Sequence, residues 1–194
     1  MTDYKIWLGG ISLVIAFISY VPYFWHIYKG VTKPHAFSWL IWGILQGIGF
    51  AAQIIGHGGP GAWATGATSV VCFTIAAIAF WKGEVKFVLF DWLSLIGACL
   101  AIFFWWFTDS PFLSVILITI SDSIGYLPTF RKAYFKPNEE TLTTFSLGVL
   151  KEIISLFALS KYNFITGFYI TVVTVSNIIF ILMTLYRRRQ LKQI

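Results

Sequence analysis

The chain has 194 residues and a formal net charge of +6, with 58% hydrophobic, 19% aromatic and only 11% charged residues. A soluble domain carries roughly 45–50% apolar and about 25% charged residues, so this composition excludes an ordinary soluble enzyme and points to a bilayer as the solvent. The two cysteines, Cys72 and Cys99, lie within apolar runs and read as small buried packing residues, not as a disulfide or metal pair.

Seven apolar spans follow in chain order, at 6–28, 37–56, 61–81, 87–107, 112–134, 143–160 and 163–186. At about 1.5 Å per residue each is long enough for a hydrocarbon core of about 30 Å. The predicted fold class is therefore all-α, a polytopic membrane protein of seven transmembrane helices, with 1–194 as one membrane domain. The first span lacks a basic leader and a clean small-residue cleavage site, so it is expected to be a mature helix and not a signal peptide.

Short loops with turn residues separate the spans: Lys29–Pro34, Gly56–Pro60, Lys82–Glu84, Thr108–Pro111 and Lys136–Glu140. Of the 14 basic residues, Lys29, Lys33, Lys82, Lys86, Arg131, Lys132, Lys136, Arg187, Arg188, Arg189 and Lys192 fall on one side. Basic loops face the cytoplasm, which predicts an outside N-terminus and a basic cytoplasmic tail over 187–194. The arginine cluster of that tail reads as a stop-transfer anchor that meets anionic lipid.

One signature occurs twice. Tyr20-Val-Pro-Tyr-Phe-Trp-His-Ile-Tyr28 and Tyr126-Leu-Pro-Thr-Phe-Arg-Lys-Ala-Tyr134 both read Y-x-P-x-F-x-x-x-Y, and each is followed by Phe-Ser, at Phe37-Ser38 and Phe145-Ser146. Aligning them lays spans 1–3 over spans 5–7. The expected organisation is a three-helix repeat over 6–81, a linker helix over 87–107 and a second repeat over 112–186: a 3+1+3 arrangement of parallel repeats. Pro22 and Pro128 each free a carbonyl one turn earlier, near Ile18 and Ile124, and soften the helix. They are candidate hinges, with Tyr20 and Tyr126 as plugs at the cytoplasmic gate.

A polar group in hydrocarbon is costly and tends to face the bundle interior. Helical spacing places Trp39, Trp42, Gln46, Gly49 and Gln53 on one stripe of span 2, and gives every repeat helix one small or polar seam. Close packing through pairs such as Gly43-x-x-x-Gly47 accounts for most of it. It does not account for Gln46, Asp122, Lys151 and Asn177. Asp122 and Lys151 lie at similar depth, so they are expected to form a buried ion pair, either structural or titrating and substrate-coordinating. Ala16 and Gly43 occupy the matching positions of the first repeat. Glu152, about 100° around the helix from Lys151, is expected to face another neighbour. Asp91 is expected to reach the interface beside Lys82 or Lys86.

The run Pro128-Thr-Phe-Arg-Lys-Ala-Tyr-Phe-Lys136, with Glu139-Glu140 and Phe145-Ser146 beyond it, resembles the first helix and loop of the SWEET sugar transporters, within the PQ-loop superfamily. The resemblance implies the 3+1+3 scaffold and small-molecule transport. Asn177, in Val175-Ser-Asn-Ile-Ile-Phe180, matches the family's substrate-binding Asn of the seventh helix, and its counterpart in the third falls at Ser69. The chain departs from the family in having Tyr23 and Thr129 after the two prolines in place of Gln, and in lacking the tryptophans late in the second and sixth helices.

The functional expectation is a transporter that moves a small polar solute (sugar, amino acid or vitamin-like) by alternating access, with proton coupling through Asp122 as an open option. Substrate-binding candidates are Asn177, Gln46, Trp42, Ser69, Asp122 and Lys151; gate or hinge candidates are Tyr20, Pro22, Tyr126 and Pro128. The alternative is a ligand-binding sorting receptor or membrane assembly factor. Span 7 has no lysine for a retinal Schiff base, and no metalloprotease, aspartyl-protease or phosphate-cradling motif occurs. No enzyme activity, cofactor, metal or nucleic-acid partner is expected. The expected partners are a small-molecule substrate and the lipid bilayer, in a plasma or bacterial inner membrane, with a homo-oligomer allowed.

Overall fold

A computed structural model of the protein describes residues 3–30, 34–82, 89–135, 137–139 and 142–192. Seven α-helices carry these residues: α1 Asp3–Tyr28, α2 Ala36–Ile55, α3 Trp63–Lys82, α4 Leu89–Thr108, α5 Pro111–Phe135, α6 Leu142–Ala158 and α7 Phe164–Lys192. Two single turns of 3-10 helix, Gly59–Ala62 and Pro137–Glu139, complete the set, and no strand occurs among the described residues. Six stretches, all but α6, are long and apolar enough to cross a membrane, as a multi-pass membrane protein requires. The seventh, α6, has 17 residues, or about 26 Å at the usual rise, and carries Lys151 and Glu152 in its middle.

Helix α3 packs against both α1 and α2, and α7 packs against both α5 and α6. Across these two groups α1 meets α6, α2 meets α5, α3 meets α6 and α2 meets α7. Helix α4 lies outside them, against α5 and α2.

Small residues set the close approaches. Ala16 on α1 meets Ala64 and Ala67 on α3. On the α2–α3 seam Gly43 lies under the ring of Phe73, and Gly66 under the ring of Phe50. Each glycine is a socket for an aromatic knob from the other helix, which is how helices associate where lipid removes the hydrophobic drive. The largest apolar core joins α2, α4, α5 and α7 through Ile41, Leu45, Ala98, Val115, Ile118 and Tyr169. Hydroxyls add interhelical bonds: Ser94 donates to the Ser121 carbonyl at 3.0 Å and Ser114 to the Ala101 carbonyl at 2.6 Å.

Two sequence expectations are corrected. Helix α7 does not end at residue 186; it continues to Lys192. Arg187 donates to the Tyr134 carbonyl at 3.0 Å and lies over the Tyr134 ring, and Arg188 donates to the Pro137 carbonyl at 2.9 Å. These two arginines thus tie the end of α7 to the end of α5, where cations suit the partial negative charge of helix C-termini. Cys99 is exposed on α4 and not buried, whereas Cys72 is buried; both are free thiols. Asp91 is 6% exposed and accepts a 2.7 Å hydrogen bond from Ser38; Lys86, one of its two expected partners, lies outside the described residues. The loop lysines Lys33, Lys86 and Lys136, and the side chains of Pro128 and Lys132, lie outside the described residues.

Candidate functional site

Polar residues of six helices converge on one cavity of about 600 Å³, which no described side chain of α4 lines. That volume falls within the about 300–1,000 Å³ of ordinary ligand pockets. Its base, at mid-bundle, is formed by Thr68, Asp122, Lys151 and Glu152. Its other end reaches His26, His35, Thr129 and Thr144, next to the helix ends that carry Lys29 and Arg131.

The expected Asp122–Lys151 pair is not what forms. The Lys151 ammonium lies 2.8 Å from the carboxylate of its own chain neighbour, Glu152, and donates to the Thr68 hydroxyl at 3.0 Å. Both α6 side chains are buried. The reason is the helix arrangement: α6 packs on α1 and α7, and α5 packs on α7, α4 and α2, so the two carriers are not the close antiparallel neighbours that the sequence suggested. Asp122 lines the same cavity without a hydrogen bond or ion pair to any described residue, within Coulombic range of Glu152.

Gln46, Trp42 and Asn177 all face the cavity. Asn177 is oriented by Tyr126, whose hydroxyl donates to Asn177 Oδ1 at 2.7 Å; this leaves the amide nitrogen as the free donor. The Tyr126 ring rests against Phe130, Phe145 and Phe180. Ser69 is placed differently. Its hydroxyl donates to the Gly43 carbonyl at 2.7 Å on the α2–α3 seam, and its neighbour Thr68 takes the cavity wall. Tyr20 lines the cavity edge-on to Trp39 at 6.1 Å. Both α1 and α5 remain helical through Pro22 and Pro128. Pro22 itself sits on an apolar groove of the outer face of α1, with Val21, Phe24, Trp25 and Tyr28.

The sequence reading did not single out Tyr23 or Ser176 as wall residues, yet both line the cavity, as does Thr68. The repeat register holds the missed signal: Tyr23 corresponds to Thr129 and Thr68 to Ser176, so the wall uses matched positions. The mouth also holds a three-residue knot. The His35 ring nitrogen Nδ1 accepts from the Ser38 amide at 3.3 Å and lies 2.9 Å from the Ser38 hydroxyl and 3.7 Å from Asp91. One nitrogen faces both partners, so this is a helix cap tied to α4 and not a nucleophile–base–acid relay.

Beyond the base the bundle is shut. A Cβ on Gly9 would come 2.5 Å from Pro60, and one on Gly61 would come 2.6 Å from the Ser155 carbonyl. Lys5 donates to the Leu159 carbonyl at 2.6 Å, and the Ser160 amide donates to the Gly58 carbonyl at 2.8 Å. Inside this closed end Gln53, Ser155 and Tyr169 bury polar side-chain atoms that have no hydrogen-bond partner among the described residues. Each lies one or two turns past a cavity-lining residue of its own helix, Gln46, Lys151 and Val173 respectively.

Among the described residues no cluster of three or more His, Cys, Asp or Glu side chains is placed to hold a metal ion. No protein-family model, curated protein or solved structure matches the chain.

Proposed function

We propose that the protein is a SWEET-like membrane transporter that carries a small polar solute by alternating access. The observation that carries this reading is a ligand-sized cavity lined by both helix triplets that ends blindly at mid-bundle. A pore would need a continuous polar path, and a purely structural bundle would have no reason to keep Gln46, Asp122 and Asn177 facing an open volume.

The internal duplication supports the mechanism. Exchanging α1 for α5, α2 for α6 and α3 for α7 turns the α1–α6 contact into α5–α2, and the α3–α6 contact into α7–α2, all of which are present. We read this as two three-helix repeats related by a two-fold axis, with α4 as the linker that restores the orientation of the second repeat. On this reading the basic helix ends face the cytoplasm and the N-terminus lies outside. The cavity then opens inward, and the Gly9–Pro60 and Gly61–Ser155 contacts are the closed outer gate. Gln53, Ser155 and Tyr169 are the wall of the outer half of the path. Buried without partners they are costly, and that cost falls when the outer end opens and solvent or solute reaches them.

Uptake by proteoliposomes tests the reading. Purified protein should accelerate entry of at least one solute from a panel of sugars, amino acids, vitamins and amines, with saturation and trans-stimulation by unlabelled solute. Linear, unsaturable uptake would indicate a channel, and no uptake across the panel would count against transport.

A further inference from the structure

Three charged side chains meet at the base of the cavity, and two of them neutralise each other. Lys151 and Glu152 are joined at 2.8 Å, and Lys151 also bonds Thr68. Asp122 is left over, facing the cavity with no hydrogen bond or ion pair to a described residue. The other titratable groups on the walls are the Cys72 thiol, the phenols of Tyr20, Tyr23 and Tyr126, and His26 and His35 at the mouth, where His35 is engaged with Ser38 and Asp91. None of these is a fixed cation beside Asp122. An ionised carboxylate in such a place calls for a positive partner.

The wall from α1 and α2 is aromatic. Trp39 is its hub, with Tyr23 at 5.0 Å and Trp42 at 5.3 Å, the two indoles meeting at 89° as a corner. The hydrogen bond from Trp39 Nε1 to the Tyr23 hydroxyl, at 3.1 Å, fixes that hub. Trp42 reaches α5 itself: its Nε1 lies 3.5 Å from the Cβ position of Gly125. Gly125 is three residues after Asp122, hence on the same face of α5 one turn on. Trp39, Trp42 and Asp122 all line the cavity, and Trp42 abuts α5 one turn from Asp122.

Aromatic faces beside a carboxylate favour cations, quaternary ammonium and other diffuse nitrogen cations above all. A neutral polyol can satisfy hydrogen bonds there but not the charge. We infer that the solute is an organic cation: Asp122 is its counter-ion, Trp39 and Trp42 are its aromatic wall, and Gln46 and the Asn177 amide bond its polar remainder. The inference rests on the transport reading above and narrows it to one substrate class.

The test compares ligands that differ chiefly in charge. Choline and its neutral carbon isostere 3,3-dimethyl-1-butanol form one pair, and 1-methylnicotinamide, a ring-nitrogen cation, and neutral nicotinamide form another, with glucose as a neutral polyol. Binding is read by thermal shift of the detergent-purified protein, and transport by proteoliposome uptake. The expected result is that at least one cation binds about tenfold or more tightly than its neutral partner. Asp122→Asn should remove that preference and Asp122→Glu should retain it, both variants melting in the absence of ligand within a few degrees of the parent. Should Asp122→Asn fail to fold, Trp42→Leu serves in its place and should weaken the cation about fivefold or more while sparing the neutral partner. The inference is overturned if no cation is preferred, if glucose or a neutral partner binds as tightly, or if Asp122→Asn abolishes only stimulation by a pH gradient and keeps the cation preference. Saturable uptake of a neutral solute alone would sink the inference and leave the transport reading standing; absence of any uptake would sink the latter.

Discussion

The ammonium of Lys151 and the carboxylate of Glu152 are consecutive residues of α6 that pair with each other at 2.8 Å, each side chain only 6% exposed. The pair removes its own net charge inside one helix turn. This is how the shortest of the seven helices, 17 residues long, holds two ions within the bundle, and why Asp122 on α5 is free to meet something else.

Breaking that pair should cost more than deleting it. Removing one partner of a buried ion pair is worth about 3–5 kcal/mol, whereas replacing both with apolar groups is often close to neutral. Lys151→Met, which leaves Glu152 and Asp122 as two facing acids, should lower the melting temperature in detergent most. Lys151→Met with Glu152→Leu should recover much of the loss. A double variant that melts lower than either single one would contradict the pairing.

Tyr126 and Tyr20 occupy equivalent repeat positions but make different contacts. Tyr126→Phe removes the donor to Asn177 Oδ1 and should cost about 1 kcal/mol, with a several-fold rise in KM for the solute as the Asn177 amide loses its fixed orientation. Tyr20→Phe, which has no hydrogen bond to a described residue, should leave the melting temperature within about one degree. Parallel thermal and uptake measurements on the two variants separate these outcomes.

Gly61 packs where a methyl would meet the Ser155 carbonyl at 2.6 Å and the Leu159 amide nitrogen at 2.7 Å, both backbone atoms. Gly61→Ala should therefore strain the closed end by about 1–3 kcal/mol and raise the population in which that end is open. Hydrogen exchange at Ser160, whose amide bonds the Gly58 carbonyl, should speed up about tenfold. Unchanged exchange would place the gate elsewhere.

Asp91 ties α4 to the first turn of α2 through Ser38. Asp91→Ala should free the N-terminal turn of α2, costing about 1–3 kcal/mol for the stranded polar groups. Amide exchange should rise in residues 36–40 and stay unchanged at the C-terminal end of α2. A uniform rise along α2 would indicate global destabilisation instead.

The helical, multi-pass architecture was legible because hydropathy runs and turn residues mark helix ends directly. The site was legible less evenly. Trp42, Gln46 and Asn177 were found because helical stripes set which side chains point inward. The Lys151 partner was missed because adjacent helix residues do not face each other, yet a four-carbon lysine stem can span that angle. Ser69 was chosen by counting along the repeat, while one step of about 100° decides between Ser69 on the α2 seam and Thr68 on the wall. That Asp91 also meets the α2 cap of His35 and Ser38 is a tertiary fact that its distance from a helix end does not carry. Arg187 and Arg188 mark the end of the apolar run, not the end of the helix, which needs no apolar residues once it leaves the hydrocarbon.

The central claim is that one cavity opens in turn to either face, and thiol accessibility measures it most directly. In a Cys72→Ala, Cys99→Ala background reconstituted in vesicles, Thr144→Cys at the mouth and Ser155→Cys beyond the base are exposed to a membrane-impermeant maleimide from each face. The account predicts that Thr144→Cys reacts from the face bearing the basic loops, that Ser155→Cys reacts only from the opposite face, and that a transported solute shifts the two rates in opposite directions. Reaction of both cysteines from the same face, or no reaction of Ser155→Cys under any solute condition, would contradict it.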